Sequence, residues 1–358
     1  MRRSPTASSL RLLTLALGTL PLTTSLATQA CSTPFDPPSV VNALRVISVE
    51  IDKPYALPGD TVNFDMTLAD GRGSEDLSDV TNILWIGGCV NPPGGSYFGC
   101  YESLGPLFAQ VAEGGLPPEG LIGGGPGVTQ FSFDIPEDIL DEVPEPNYGP
   151  KIGSAFVFFI ACGGEFRAVE QSGDTSASFF PIGCFDDEGR QLGSESFIPG
   201  YTQVFVFEDE RSNANPPVSG LLVDDALLEA DAVITAKVCP IAIEDRQRTG
   251  CAAPDEFTEC EPLTIDVEVP DDAAETDPEA QDVEGNALNE VLWVSYFASG
   301  GQFETDVKLV ADASDGVLDE RETRWVPPEE PGIYSIWAVV RDNRGGSTMV
   351  THVVQVDD

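Results

Sequence analysis

Cysteines and carboxylates are the residues in this sequence whose types and spacing could do chemistry. The chain of 358 residues has eight cysteines, 60 aspartates and glutamates, and a single histidine, His352. A cysteine thiol can be acylated, paired in a disulfide or used as a nucleophile, and two carboxylates can act as acid and base in glycoside hydrolysis. Each of these uses requires a different surrounding sequence.

Nucleophilic catalysis needs a positioned base, and the sequence offers no convincing one. His352 lies in the last predicted strand, where we expect it to face solvent. The sequence has no G-x-S-x-G, P-loop or H-E-x-x-H motif, and among 60 acidic residues no carboxylate pair stands out. We therefore predict no catalytic residue and a non-enzymatic protein. The less favoured alternative is a carboxylate-based glycan hydrolase.

Cys31 follows a stretch that is typical of an export signal. Arg2, Arg3 and Arg11 precede the apolar run LLTLALGTLPLTTSLA (12–27). The run is too short and too interrupted to span a membrane. The junction ATQAC resembles the lipobox of bacterial lipoproteins, whose cysteine becomes diacylated. Thr28 stands where that motif usually has leucine. We predict a cleaved signal peptide over 1–30 and lipidation of Cys31.

A Pro-rich tether is predicted over residues 31–42. Such a stiff spacer holds a folded domain away from a membrane, and two or three acyl chains make an effectively permanent anchor. We therefore expect an exported protein held by its lipid at the outer membrane or cell surface, with the membrane as one partner. The alternative is ordinary signal cleavage and a soluble periplasmic or secreted protein, which an even cysteine count favours.

The other cysteines indicate a disulfide framework in an oxidising compartment. There is no C-x-x-C and one histidine, which argues against a zinc site. Cys89–Cys100 and Cys162–Cys184 are plausible local pairings, although sequence does not fix connectivity. If Cys31 is lipidated, one cysteine stays unpaired. The candidates for it are Cys239, Cys251 and Cys260.

The formal net charge of −42 restricts the classes of partner that this chain can attract. A field of this sign repels nucleic acid and anionic headgroups, so we predict no nucleic-acid partner. We predict no metal site and no cofactor. Calcium is a minor alternative, because CFDDEGRQLGSE (184–195) partly matches an EF-hand loop and carboxylates cluster at 208–210. A solvated acidic surface is the favoured interpretation.

The rest of the chain is rich in predicted strands. Apolar and alternating runs recur between turn signals, among them LRVISVEI, TVNFDMTL and AFVFFIAC in the first half and LTIDVEV and STMVTHVVQV in the second. The best helix candidate is residues 101–113. The polar stretch over 209–215 is the predicted linker between domains at 43–208 and 216–358. NILWIGG and EVLWVSY form a weak internal repeat across these two halves.

Two tryptophans and one three-residue pattern carry a resemblance to a known fold. Trp85 and Trp293 match the core tryptophan on the third strand of an immunoglobulin-like sandwich, and Glu330-x-Gly332-x-Tyr334 resembles its tyrosine corner. The second half looks like an Ig-like or PKD-type bacterial domain, and the whole resembles uncharacterised Gram-negative envelope lipoproteins. The resemblance implies an all-β fold with two Ig-like β-sandwich domains in tandem after the signal and tether.

Two long insertions depart from a minimal sandwich. Residues 87–128 are rich in Gly and Pro and hold Tyr97, Phe98 and Tyr101, so we interpret them as the better candidate for a binding surface. The second insertion covers residues 240–290, and we interpret the acidic run 271–284 within it as a disordered, solvated loop. The predicted function is contact with a protein or glycan ligand, as an adhesion, scaffold or binding module.

Overall fold

The computed structural model describes residues 38–72, 77, 81–112, 120–147, 149–169, 182–241 and 260–358. Strands make up nearly all of the regular structure there, so the all-β prediction is confirmed. The predicted helix is also present, as α1 (Cys100–Ala112), with Pro106 inside it. Cys31 and the predicted signal peptide lie outside the described residues, as does Cys251.

The first half of the described chain forms a sandwich of two sheets. Its strands are β1 (Leu44–Ile51), β2 (Tyr55–Ala56), β3 (Thr61–Asp70), β4 (Asn82–Val90), β5 (Ile122–Pro126), β6 (Gln130–Asp134), β7 (Ile152–Cys162), β8 (Glu165–Ala168), β9 (Ile182–Phe185) and β10 (Phe197–Phe207). The sheets have the orders β1-β3-β6 and β2-β10-β7-β4-β5, and β8 and β9 form a separate hairpin. Alternate residues of both sheets share one core, which includes Phe64, Trp85 and Val157.

The second half forms another sandwich. Its strands are β11 (Gly220–Val223), β12 (Ala226–Leu227), β13 (Val233–Lys237), β14 (Leu263–Glu268), β15 (Thr276–Gln281), β16 (Ala287–Asn289), β17 (Leu292–Ala298), β18 (Gln302–Phe303), β19 (Val307–Asp312), β20 (Gly316–Val317), β21 (Thr323–Val326), β22 (Gly332–Asp342) and β23 (Ser347–Asp357). The sheets have the orders β12-β11-β14-β21-β18 and β13-β23-β22-β17-β19-β20.

The two sandwiches repeat the same strand order. The order β1-β3-β6 in the first corresponds to β11-β14-β21 in the second, and β2-β10-β7-β4-β5 corresponds to β13-β23-β22-β17-β19. In each, a short strand pairs in parallel with the last long strand of the sandwich, β2 with β10 and β13 with β23. The weak sequence repeat therefore reflects a repeated topology, in which β4 and β17 hold equivalent places.

The tryptophans on those two equivalent strands face opposite ways. Trp85 is fully buried in the first core, where its Nε1 donates to the Val128 carbonyl at 3.0 Å. In β17 the inward positions belong to Leu292, Val294 and Tyr296, so the prediction that Trp293 fills the core is wrong. Because side chains alternate with a period of two, a shift of one residue changes the face.

Trp325 on β21 supplies the buried indole of the second sandwich. It is fully buried, and its Nε1 donates to the Gly300 carbonyl at 3.1 Å. Tyr334 packs against the same core, and its hydroxyl donates to the Glu330 carbonyl at 3.0 Å. This is the tie to the chain just upstream that defines a tyrosine corner.

A turn from the second sandwich packs against the first. Residues 37–358 form one compact unit. Val41 and Ile47 from the first half form a small core with Val339 from the second. The segment predicted as a linker takes part in the junction, because Asn213 is buried and donates to Asp342 at 2.8 Å. Asn215 also bridges, donating to the Ile51 carbonyl at 3.0 Å.

The acidic run over 271–284 is ordered, contrary to the prediction. Residues Thr276–Gln281 form β15 and pair with β16. Just before β15, Ala273 is buried in the second core. Glu275 forms an ion pair with Arg344 at 2.6 Å. Burial of one small apolar side chain and this ion pair fix a segment whose composition alone favours disorder.

Candidate functional site

Three disulfides lie in the described part of the chain. Cys89 pairs with Cys100, Cys162 with Cys184, and Cys239 with Cys260, with Cα–Cα distances of 5.4, 5.6 and 4.5 Å. The first two are the local pairings considered from the sequence. The Cys89–Cys100 bond links the end of β4 to the first residue of α1, so it holds the helix against the sheet.

The helix α1 covers the outer face of the sheet that contains β7. Along β7, Ala155, Val157 and Phe159 face the main core, while Phe156 and Phe158 face outward into a second, smaller core. That smaller core also takes in Ile86 and Ile160 of the sheet, Leu104 of α1 and both cysteines of the first disulfide. The continuous apolar run of β7 is therefore explained, since the strand is buried on both faces.

The chain enters α1 through a tight double turn. Gly94 and Gly95 have φ values of 77° and 64°, which an L-residue with a side chain rarely adopts. They reverse the chain after Pro92, so that Tyr97 and Phe98 lie against the start of the helix. The two ring centres are 4.0 Å apart.

Four rings form what we call the aromatic surface, defined as Tyr97, Phe98, Tyr101 and Tyr201. Tyr97 stacks on Tyr201 of β10 with ring centres 4.3 Å apart, and Phe98 meets Tyr101 edge-on at 5.9 Å. Phe98 is 61% exposed and Tyr201 is 45% exposed. The four rings pack against one another, and those of Phe98 and Tyr201 face solvent.

The hydroxyl of Tyr101 lies in a partly buried part of the aromatic surface. Burial, with the neighbouring hydroxyls of Tyr97 and Tyr201, raises the pKa of Tyr101 above its ordinary value. Its hydroxyl therefore stays protonated and can donate a hydrogen bond. Phe156 and Phe158 lie 5.9 and 6.0 Å from Tyr201, which fixes that ring to the smaller core. A fixed, amphipathic aromatic patch is suited to binding rather than to bond-breaking chemistry.

Known proteins offer no family for this chain. No family model matches the sequence, and no curated protein matches it. Among solved structures, it is similar to the fibronectin(III)-like modules of Clostridium thermocellum CbhA, at 10% identity over 87% of this chain and 94% of that one, with a TM-score of 0.19.

Two further solved structures show similarly weak likeness. The FN1–FN3 domains of chicken CNTN1 match at 9% identity over 88% of this chain and 68% of that one, with a TM-score of 0.18. The C-terminal domain of the Streptococcus pyogenes antigen I/II-family protein AspA matches at 10% identity over 88% and 99%, with a TM-score of 0.20. Scores this low carry no argument about function.

Several of the carboxylates considered for calcium are engaged in hydrogen bonds or ion pairs. Asp186 accepts hydrogen bonds from the backbone N–H of Arg190 and from Arg190 Nε, both at 2.8 Å, and these lower the pKa of Asp186. Glu195 accepts from the backbone N–H of Gly193. At the junction, Asp209 pairs with Arg211 at 2.6 Å. Within the described residues, no group of three or more His, Cys, Asp or Glu side chains could hold a metal ion.

His352 is buried, where the sequence analysis expected it to face solvent. It is 6% exposed, and its Nδ1 lies 3.3 Å from the Ala232 carbonyl. On β23 it shares its face with Val354 and Val356, which point into the core. Its position is therefore structural.

Among the helices described, none is long and apolar enough to cross a membrane.

Tyr201 is the part of the aromatic surface that sequence reasoning missed. The run YTQVFVFE was identified only as a strand, and its alternation places Val204 and Val206 inward and Tyr201 outward. That alternation was the available signal. What it could not show is that the outward ring meets Tyr97 from a distant part of the chain.

Proposed function

We propose that this chain is a non-enzymatic cell-envelope lipoprotein that contacts a partner protein through the aromatic surface. The single observation that carries the contact role is the exposure of Phe98 and Tyr201 on a ring cluster held by a disulfide. Tyrosine and other aromatic residues are enriched at the energetic centres of protein interfaces. Their rings supply contact area at a low cost in conformational entropy.

The net negative charge of the chain restricts the kind of partner that it can attract. With a net charge of −42, long-range attraction favours a partner that is basic around an apolar centre. Exposed Glu102 lies beside Tyr101 in the helix and adds to this field. Lysine or arginine side chains of such a partner would also gain from the faces of the exposed rings.

The contact is tested by replacing the two exposed rings. The mature chain carrying Phe98→Ala and Tyr201→Ala should lose capture of envelope protein, while Ile333→Ala, a 73% exposed apolar position on the second sandwich, should retain it. Protease treatment of the envelope extract should abolish capture by the wild-type chain. Capture that survives protease but not glycan digestion would instead identify a glycan ligand. Equal capture by all variants would contradict the proposed surface.

The anchor is tested separately by the intact mass of the protein from its native envelope. We expect the mass of residues 31–358 plus acyl chains on Cys31, with one thiol free to be alkylated before reduction. The three disulfides among the described residues use six of the eight cysteines, so the mass and the thiol count report on Cys31 and Cys251. An unmodified Cys31 would contradict the lipid anchor and leave the contact role to a soluble protein.

A further inference from the structure

A cavity of about 450 Å³ lies between the two sandwiches. Its walls come from the irregular part of β1, the first half of β10 and the turn between β22 and β23. Val46, Phe159 and Ile198 give it an apolar side, and Ser48, Thr202 and Arg341 give it a polar one. This volume and mixed lining fall within the range of small-molecule sites in proteins.

Arg341 is the unusual residue of the cavity. It occupies an outward position on β22 and donates from Nη2 to the Ile47 carbonyl at 3.3 Å, the one hydrogen bond that the described residues give it. Burial lowers the pKa of its guanidinium below the ordinary value, with no carboxylate acting against this. Four of the five N–H donors of the fork are thus left for another acceptor.

The lack of a carboxylate beside Arg341 sets it apart. In the part of the chain that the structure describes, every other arginine except Arg45 forms an ion pair. A half-buried guanidinium without a counter-charge costs free energy, and a chain with 60 acidic residues could readily have supplied one. Glu50, the nearby acid on β1, instead accepts the backbone N–H of Met349 at 2.8 Å.

A second polar group of the cavity is also without a partner. Ser48 is 3% exposed, and its Oγ has no hydrogen-bond partner in the structure. It follows a register shift in β1, where Val46 and Ser48 pair with successive residues of β3 and Ile47 is left over. A bulge of this kind redirects side chains, and here it places Ser48 on the cavity wall.

The one acid on the cavity wall is already saturated. Asp342 accepts hydrogen bonds from the backbone N–H groups of Arg344 and Gly346, at 2.8 and 2.7 Å, and from Asn213 Nδ2 at 2.8 Å. Its oxygens therefore hold the turn between β22 and β23 and the side chain of Asn213. The cavity thus offers the guanidinium of Arg341, which has no carboxylate partner among the described residues, and the unpartnered hydroxyl of Ser48 against an apolar wall.

We propose that this cavity binds a small monocarboxylate, with the carboxylate paired to Arg341 and hydrogen-bonded by Ser48, and an apolar body against Val46, Phe159 and Ile198. A planar guanidinium fork matches a carboxylate in two parallel hydrogen bonds. One cation balances one negative charge, and the strongly acidic chain opposes a dianion such as phosphate or sulfate. Tyr201 of the aromatic surface also lines the cavity, but the inference does not depend on the contact role of that surface or on the lipid anchor.

Calorimetric titration of the mature chain tests the site with matched pairs of probes. Acetate, phenylacetate and N-acetylphenylalanine are each compared with the corresponding neutral amide. We expect at least one acid to bind saturably and its amide to bind about tenfold or more weakly, which is the range for a charge-assisted hydrogen bond. Tighter binding of inorganic sulfate than of every acid, or no preference for any acid over its amide, would overturn the proposal.

Variants locate the binding in the cavity. Arg341→Gln should abolish the preference for the acid, and Arg324→Gln, which breaks an ion pair elsewhere on the second sandwich, should leave it unchanged. Ser48→Val adds bulk to the wall without touching the guanidinium and should also weaken binding, so the test does not depend on Arg341→Gln folding. Unchanged binding in both cavity variants would contradict the assignment.

Discussion

The guanidinium of Arg344 in the second sandwich lies 5.9 Å from the ring centre of Tyr55 in the first. Its Nε donates to buried Glu290 at 2.8 Å. The positive charge that the turn between β22 and β23 brings to the junction is therefore balanced by a carboxylate of the second sandwich. The side chain of Glu290 is fully buried and that of Arg344 is 8% exposed. The ion pair thus fixes the shape of the turn that joins the two halves.

Removing one member of this pair should be costly. We expect Arg344→Met to lower the free energy of unfolding by about 3–5 kcal/mol, because it leaves Glu290 buried without a counter-charge, held only by the backbone N–H of Glu275. The double variant Arg344→Met with Glu290→Leu should recover much of that loss. Urea denaturation of the four proteins of the cycle measures the coupling, and additive effects of the two substitutions would contradict a dominant pair.

The two tryptophans of the second sandwich should differ in their effect on stability. Trp325→Ala should lower the free energy of unfolding by about 3–5 kcal/mol, since it removes a fully buried indole from the core. Trp293→Ala, on the outer face of β17, should cost much less. Thermal and urea unfolding measure both. A larger loss for Trp293→Ala than for Trp325→Ala would contradict the strand register.

Glu50 and Glu304 should respond to pH in opposite directions. Burial raises the pKa of Glu50 above its ordinary value of 4.5, so its protonation stabilises the fold at low pH and that contribution is lost as the pH rises through the folded pKa. Glu50→Gln should therefore raise stability at pH 7, with a gain that shrinks as the pH falls toward 4.5.

Glu304 is the matched control for that experiment. The hydrogen bond from Arg324 lowers the pKa of Glu304, so its contribution is present above 4.5 and lost as the pH falls through the folded pKa. Glu304→Gln should therefore lower stability at pH 7, and the difference should vanish in acid. Urea denaturation at a series of pH values measures both. The same sign for the two variants at pH 7 would contradict these environments.

Removing the disulfide under the aromatic surface should lower the stability of the fold and loosen the packing of the four rings. Replacing both Cys89 and Cys100 by alanine should cost about 2–3 kcal/mol, because the closed loop is short and the bond restricts mainly the unfolded chain. The near-ultraviolet circular dichroism of the stacked tyrosines should weaken as well. Removal of the Cys162–Cys184 bond, at the far end of β7, is the control. It should leave the signal of the Tyr97–Tyr201 stack largely in place.

Alternation and turn chemistry explain why most strands and the helix were predictable. The runs LRVISVEI and STMVTHVVQV became β1 and β23, and the candidate helix became α1. The prediction that failed concerned the register of two strands. Aligning NILWIGG with EVLWVSY equates Trp85 with Trp293, but Trp85 faces the core of its sandwich and Trp293 faces away from the other core. Local sequence cannot reveal such an offset when both faces of β4 are apolar.

The candidate sites depended on contacts between distant residues, and sequence shows these poorly. The acidic composition of residues 271–284 predicted disorder, and the partner that opposes it, Arg344, lies 69 residues beyond Glu275. Tyr201 joined the aromatic surface through the pairing of β10 with β7. Arg341 appeared only as a strand residue, and its hydrogen bond to the Ile47 carbonyl at the bulge in β1 joins residues 294 apart. Each of these features arises from tertiary packing.

Photo-crosslinking at position 98 in the native envelope tests the proposed contact most directly. Phe98→p-benzoylphenylalanine keeps an exposed ring in place and reacts with whatever covers it, and the same substitution at Ile333 is the control. We predict a discrete crosslinked protein from position 98 and none from position 333. No adduct at position 98, or the same products from both positions, would contradict a specific contact through the aromatic surface.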